Sequence, residues 1–334
     1  MSSHPANSII NIKNIAICMY GQYRTGDACL EYIQKFYKNK GYNVDFFCSL
    51  KPYTTAYTRP IYNKNKNREI FQKDITLPEE LEHQLVQIGK YLSPKLINVY
   101  SKEYEDELMD IDRYVIESKV LSGWVDVIML KQQYEVENDI TYDLVVMQRY
   151  DTVIYPKSAF RAIVNSLNGV SVTQHNSYRT ANKNFLLMDQ INYIREQPNS
   201  TFYPNGQDMW VLGVGTALDS MAYEFLNYIP SKFHSMHTKT EFYDGFPFMD
   251  THEAIAAAAD KINIPRFALP HIYPNDTCYP PFKKSNNVHF KPIGPLPIRD
   301  VYFKDNILPN MATFSDEEIR KLRAECINTW IGGY

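Results

Sequence analysis

Long apolar runs are absent from this sequence of 334 residues. No stretch approaches the roughly 20 consecutive apolar residues that a membrane-spanning helix needs. The first residues, MSSHPANSIINIKN, have neither the cationic start nor the apolar centre of a secretory signal peptide. The sequence therefore predicts no transmembrane segment and a cytoplasmic location.

Cysteine is scarce, and its spacing is not that of a metal site. The five cysteines are Cys18, Cys29, Cys48, Cys278 and Cys326. Their number is odd, no CxxC occurs, and two of them lie in apolar, strand-like runs, so we expect reduced core thiols. His234 and His237 have no third and fourth ligand in register, which excludes a structural zinc site.

An excess of charge of either sign is also lacking. The formal net charge is -3, and lysine and arginine are scattered among acidic residues instead of forming a stripe. This pattern excludes a general nucleic-acid binder, which needs a basic surface. Because 44% of the residues are hydrophobic, the chain has enough apolar material for a sizeable core.

The common glycine-rich phosphate fingerprints are missing, although a glycine-containing loop stands in a suitable place. Residues 21–26, GQYRTG, follow the apolar run IAICMY and precede a helical pattern, which is where open α/β sheets bind ligands. The loop matches neither GxGxxG nor GxxxxGK[ST]. Two interpretations stay open: a ligand-binding loop that uses Gly21, Gln22 and Arg24, or a tight turn with a surface arginine.

Strand and helix patterns alternate along the chain. A strand at 15–20, a helix at 27–39 and a strand at 42–50 form a βαβ unit, which predicts an α/β fold with a parallel sheet. Further helices are predicted at 76–92, 113–137, 158–167 and 216–229, and further strands at 95–101, 143–155 and 208–215. We expect one domain over 13–310, with a tail at 1–12, a flexible loop at 51–74 and a C-terminal helix within 311–334. That helix begins at a capping box, Ser315 and Glu318.

The stretch DLVVMQRYD, residues 143–151, combines a buried strand with charge at its end. Strand alternation places Arg149 and Asp151 on the same side. A carboxylate at a strand end can bind a divalent cation, and an adjacent arginine can bind an anion. The alternative is an internal salt bridge between the two.

Lys131 lies in the centre of an apolar stripe of the helix that precedes this strand. A cation in that position needs a partner or a polar cleft, unless its ammonium reaches the helix edge. Two acidic positions add further candidates. Asp208 opens a strand pattern, and Glu253 stands at a helix start, where a cap or a favourable helix dipole explains it equally well.

Four ordered stretches make the chain resemble glycosyltransferase-like proteins with a GT-A-type nucleotide-diphospho-sugar transferase fold, as found in bacteria and in large viruses and phages. They are IAICMYGQYRTG, NVDFFCSL, YDLVVMQRYDTVIYP, and DMWVLGVGTALDSM followed by THEAIAAAADKINI. The resemblance implies a Rossmann-like, mostly parallel central sheet flanked by helices, with an irregular C-terminal extension. It also implies transfer of a sugar from a nucleotide-diphospho-sugar donor to a glycan or other acceptor hydroxyl.

The resemblance further implies roles for single residues. It assigns the donor nucleotide to Gly21, Gln22 and Arg24, its diphosphate to Lys131 and Arg149, a Mn²⁺ or Mg²⁺ ion to Asp151, and the acceptor side with its general base to Asp208 and Glu253. The acid-x-acid motif of such proteins is matched only at Asp151, because Arg149 stands where the first acid occurs. The alternatives are a non-catalytic nucleotide-sugar-binding or interaction protein, and another nucleotide-using α/β transferase.

Overall fold

In a computed structural model, the described part of the chain forms a mixed α/β fold around a seven-stranded sheet. The described residues are 10–38, 41–55, 73–75, 78–100, 115–155, 157–168, 185–188, 210–226, 255, 258–259, 261–264, 266–268, 294–297, 312–319 and 321. None of the helices in these ranges is long and apolar enough to cross a membrane.

The helices and strands follow the predicted alternation. The strands are β1 (Asn14–Gln22), β2 (Asn43–Lys51), β3 (Tyr53–Thr55), β4 (Lys73–Ile75), β5 (Leu96–Val99), β6 (Leu144–Arg149), β7 (Thr152–Tyr155), β8 (Phe185–Met188), β9 (Trp210–Val214), β10 (Arg266–Ala268) and β11 (Gly294–Pro297). The helices of the described ranges include α1 (Gly26–Tyr37), α2 (Pro78–Leu92), α3 (Val115–Asn138), α4 (Ala159–Leu167) and α5 (Ala217–Phe225).

The large sheet has the strand order β10-β8-β9-β6-β1-β2-β5. The pairs β1–β2, β1–β6, β2–β5 and β8–β10 are parallel, whereas β9 runs antiparallel to both β6 and β8. Asp143 ties the start of β6 to that of β1, because its carboxylate accepts hydrogen bonds from the backbone N–H groups of Lys13 and Asn14. The predicted Rossmann-like, mostly parallel sheet flanked by helices is therefore confirmed.

Helices cover both faces of this sheet. One apolar cluster packs α1, α2 and α4 against the sheet, and a second packs α3 and α5 against the other face. The central strand β1 alternates between the two clusters: Ile15, Ile17 and Met19 belong to the first, and Ala16, Cys18 and Tyr20 to the second. A strand buried on both faces reads as a continuous apolar run, as IAICMY does.

The predicted strand at 143–155 is wrong as a single strand. The chain turns at Tyr150 and Asp151, and β7 leaves the large sheet to pair antiparallel with β11. The C-terminal extension thus contributes β10 to the large sheet and β11 to this small one. The prolines of GPLP are compatible with β11, because a two-stranded ribbon leaves one edge without ladder hydrogen bonds.

Two other predicted segments are described only in part. The ends of the predicted loop at 51–74 form the antiparallel pair β3–β4, and its remainder lies outside the described residues. At the start of the predicted C-terminal helix, the backbone N–H of Ser315 donates to Glu318, and the N–H of Glu318 donates to the Ser315 hydroxyl oxygen, as in a capping box. The division into tail, single domain and C-terminal helix stays a prediction.

Candidate functional site

The chain changes direction at the centre of the sheet. From β1 it passes through α1 to β2, on one side of β1, and α3 later brings it to β6 on the other side. Helices α1 and α3 cover opposite faces, as right-handed crossovers in opposite directions require. Open α/β sheets bind ligands outside the carboxyl ends of the strands at such a switch point. The crevice between the ends of β1 and β6 is therefore the candidate site.

The loop between β1 and α1 leaves the strand through two residues with positive φ. They are Gly21, at 98°, and Arg24, at 44°. Only the second is unusual, because a side chain costs energy in the left-handed region. The ring of Tyr23 packs on Gly26, where a Cβ would lie 2.7 Å from the ring, and its hydroxyl donates to Asp27 at 2.7 Å. These contacts fix the loop on both sides of Arg24.

The turn between β6 and β7, which carries Asp151, is held by buried hydrogen bonds. The Gln148 side-chain amide donates to the carbonyl of Thr152 at 2.8 Å. Its oxygen accepts from the hydroxyl of Tyr37, which accepts from the indole N–H of Trp210 at 2.8 Å. This network was not predicted from the sequence, although a glutamine within a strand of otherwise buried apolar residues was the available signal.

Arg24, Arg149 and Asp151 form a buried ion cluster at the site, here called the arginine cluster. Arg24 Nη1 lies 2.8 Å from Asp151 Oδ2. Arg149 donates through Nε to Oδ1 at 3.0 Å and through Nη2 to Oδ2 at 2.8 Å. Arg24 Nε also donates to Gln22 Oε1 at 2.9 Å. The predicted juxtaposition of Arg149, Asp151 and the first loop is confirmed, while the ligands assigned to them stay predictions.

The arginines of the arginine cluster are more exposed than its carboxylate. The Asp151 side chain is completely buried, whereas those of Arg24 and Arg149 keep 9% and 13% of their exposure. The accessible part of the cluster is therefore cationic, which favours an anionic ligand.

Asp151 does not fit the metal-ligand role that the resemblance implies. Both of its oxygens accept hydrogen bonds from guanidinium groups, which use three of about four lone-pair positions on a carboxylate. Strand alternation predicts a strand-end acid, but the turn after β6 buries Asp151 beneath the two arginines. Within the described ranges, no group of three His, Cys, Asp or Glu residues has a geometry that could hold a metal ion.

Lys51 is a cation at the same edge of the sheet that the sequence analysis did not single out. It ends β2, in register with Gln22 on β1, and is 4% exposed. Its ammonium lies 5.3 Å from the centre of the Tyr100 ring. Lys51 was predicted to belong to the loop at 51–74, whereas β2 extends one residue further than predicted and includes it.

Lys131 belongs to a different cluster, here called the lysine cluster, with Glu135 and Asp219. Its ammonium lies 2.7 Å from Glu135 Oε2 and 2.8 Å from Asp219 Oδ1, and the side chain is 1% exposed. Burial alone would lower the pKa of Lys131, but the two carboxylates outweigh it and raise that pKa above its ordinary value. The partners that the sequence predicted for this cation are therefore Glu135 of the same helix and Asp219 of α5.

The lysine cluster lies nearer to the amino ends of the strands than the arginine cluster does. Gly123 of α3 packs on the ring of Tyr20, the residue that pairs with Arg149. Lys131 is eight residues further along α3, about 12 Å at 1.5 Å per residue. The structure thus places Lys131 away from the arginine cluster, which corrects its assignment to the donor diphosphate. The physical reason is that α3 runs from the carboxyl ends of the strands toward their amino ends.

The remaining acidic candidates, Asp208 and Glu253, lie outside the described residues, and their role as general base stays a prediction. The described cysteines offer no nucleophile, because Cys18, Cys29 and Cys48 are buried thiols. Burial raises the pKa of Cys48 to about 12. Burial and, after it, the negative charge of Asp151 also raise the pKa of Cys29.

Comparisons with known proteins give little. No protein-family model matches the chain, and no curated protein matches its sequence. Among solved structures, it is similar to the apo form of the glycosyltransferase GlyE of Streptococcus pneumoniae, with 11% identity and a TM-score of 0.32. The match covers 77% of this chain and 45% of that one, so the chain spans less than half of that structure. A similarity of this size carries no argument about function.

Proposed function

We propose that this protein is a glycosyltransferase of the GT-A type, which moves a sugar from a nucleotide-diphospho-sugar donor to an acceptor hydroxyl. The observation that carries the proposal is the arginine cluster at the switch point between β1 and β6. A cationic, partly exposed cluster at the place where α/β sheets bind ligands suits a phosphate-containing substrate. The sequence resemblance to glycosyltransferase-like proteins is the reason to propose a nucleotide sugar as that substrate.

In the proposed reaction, the acceptor oxygen forms a bond to the anomeric carbon as the bond from that carbon to the donor phosphate breaks. The acceptor proton passes to a carboxylate, for which Asp208 and Glu253 are the candidates. The leaving nucleoside diphosphate gains negative charge in the transition state. Arg24 and Arg149, already held in place by Asp151, stabilise that charge without reorganisation at the moment of reaction.

The direct test is a binding and transfer assay with the whole chain. Calorimetry with UDP, GDP and ADP, each beside its monophosphate, should show that at least one diphosphate binds about tenfold more tightly than the monophosphate, which corresponds to 1.4 kcal/mol. Arg149→Gln should weaken that binding by about tenfold or more, because it removes a charged hydrogen-bond donor. Release of nucleoside diphosphate from the corresponding nucleotide sugar reports catalysis.

The matched control is Lys35→Gln, which removes an exposed cation of α1 that pairs with Glu31. It should leave nucleotide binding unchanged. A folded protein that binds none of the three diphosphates contradicts the proposal. Binding without release of diphosphate from any nucleotide sugar favours the alternative of a non-catalytic nucleotide-sugar-binding protein.

A further inference from the structure

The arginine cluster occupies the position at which the resemblance implies a divalent cation. A Mg²⁺ ion needs carboxylate oxygens at about 2.0 to 2.1 Å in near-octahedral geometry. Each oxygen of Asp151 already accepts a hydrogen bond from a guanidinium nitrogen at 2.8 to 3.0 Å. A cation at Asp151 would have to compete with two arginines that stay charged at every accessible pH. The two guanidinium charges also repel it.

The contacts with Asp151 also hold the two arginines in fixed positions, in which they can bind an anion. Asp151 binds Arg149 through two parallel N–H···O contacts, the geometry in which a guanidinium and a carboxylate fit best. Because Asp151 is fully buried and its turn is tied to Gln148, it gives both arginines a fixed anchor. The conformational freedom of two long side chains is then lost during folding and not on ligand binding, which favours affinity.

The backbone of Arg24 points to the same role. Arg24 keeps a left-handed conformation that a side chain disfavours, and its guanidinium bridges Gln22 and Asp151. Strained residues of this kind persist where the surrounding contacts determine them, and they concentrate at ligand sites. Asp151 therefore couples the conformation of the first loop to the end of β6.

We infer that the arginine cluster holds the diphosphate of the donor without a divalent cation, and that Asp151 is a positioning residue for Arg24 and Arg149. This inference rests on the proposed function and specifies how its substrate is bound. The two guanidinium groups take the part that a metal ion plays where both acids of the motif are present. Asp151 contacts the arginines and not the ligand.

The test compares nucleotide binding with and without free cation. UDP, GDP and ADP are titrated into the whole chain by calorimetry, once in EDTA and once in excess Mn²⁺, beside their monophosphates. The Kd of the bound diphosphate is expected to be the same in EDTA and in Mn²⁺ to within about twofold. Asp151→Asn should weaken diphosphate binding by about tenfold or more in EDTA and in Mn²⁺ alike, since it releases both arginines.

A second readout separates positioning from a general loss of structure. Asp151→Asn keeps both guanidinium charges but removes the carboxylate that holds them in position. The ratio of the Kd for monophosphate to the Kd for diphosphate should therefore decrease. Partial unfolding would instead weaken the binding of both nucleotides by the same factor. The Tm of each variant is measured beside its affinities. If Asp151→Asn does not fold, Arg149→Lys, which keeps the charge and loses the bidentate contact, should show the same loss and the same indifference to Mn²⁺.

Two results overturn the inference in distinguishable ways. If the diphosphate binds only with Mn²⁺, the cation-free mode is wrong while the proposed function stands. If none of the three diphosphates binds to the folded chain in either condition, the proposed function falls and the inference falls with it. Lys35→Gln should behave as the unchanged protein throughout.

Discussion

Two clusters of buried charge among the described residues, the arginine cluster and the lysine cluster, are built in opposite ways. In the arginine cluster one carboxylate is fully buried beneath two arginines, whose side chains are 9% and 13% exposed. In the lysine cluster one ammonium is 1% exposed, and its two carboxylate partners keep 16% and 13%. The hydrogen bonds are of similar length. The sign of the outer charges differs, and with it the ligand that each cluster can meet.

The two clusters also join different kinds of structural element. The arginine cluster joins a loop and a turn at the carboxyl ends of β1 and β6. The lysine cluster joins two helices, α3 and α5, and Glu135 also accepts the backbone N–H of Tyr142 ahead of β6. Contacts between helices fix the packing of a layer, whereas contacts at strand ends fix the shape of a crevice. We therefore expect substitutions in the lysine cluster to change stability and those in the arginine cluster to change binding.

The largest effect on stability is expected from Lys131→Met. Removing one partner of a buried ion pair leaves uncompensated charge, and here Glu135 and Asp219 both lose their cation, at a cost of about 3 to 5 kcal/mol. Urea unfolding gives the difference in the free energy of unfolding. Nucleotide affinity of the folded variant should not change. A stable variant that has lost nucleotide binding would return Lys131 to the donor site.

An intermediate effect, on both properties together, is expected from Gln148→Leu. The substitution leaves the Thr152 carbonyl and the Tyr37 hydroxyl with one hydrogen bond fewer inside the core, which should cost about 1 to 3 kcal/mol. Because that carbonyl belongs to the turn carrying Asp151, nucleotide affinity should fall as well. Unfolding and calorimetry are compared in one preparation. Gln133→Leu, on the exposed side of α3, is the control and should change neither.

The smallest effect is expected from the exposed counterpart of the lysine cluster, the i,i+4 pair of Glu31 and Lys35 on α1. Lys35→Met should lower the free energy of unfolding by only about 0.3 to 0.5 kcal/mol. That difference should vanish in 1 M NaCl, where charges are screened over about 3 Å. The cost of Lys131→Met should persist at the same salt concentration. Equal salt sensitivity of the two variants would show that the lysine cluster is not shielded from solvent.

The strand pattern was sufficient for part of the candidate site. A period of two placed Arg149 and Asp151 on one side of the strand, and they are in contact. The break in the same segment was not predicted, because apolar residues continue on both sides of Tyr150 and Asp151. Only pairing with β11, which lies more than a hundred residues later, draws β7 out of the large sheet.

The sequence by itself determined the order of strands and helices in the first half of the chain, the parallel βαβ unit, and the side of each strand on which its polar residues lie. These properties depend on neighbours within a few residues. The tertiary structure alone decided the partners: Arg24 meets Asp151 across 127 positions, and Lys131 meets Asp219 across 88. Partners at such separations follow from which strands lie side by side and how the helices pack on them. Local periodicity does not encode that arrangement, so charged residues form a cluster at strand ends in one place and a contact between helices in another.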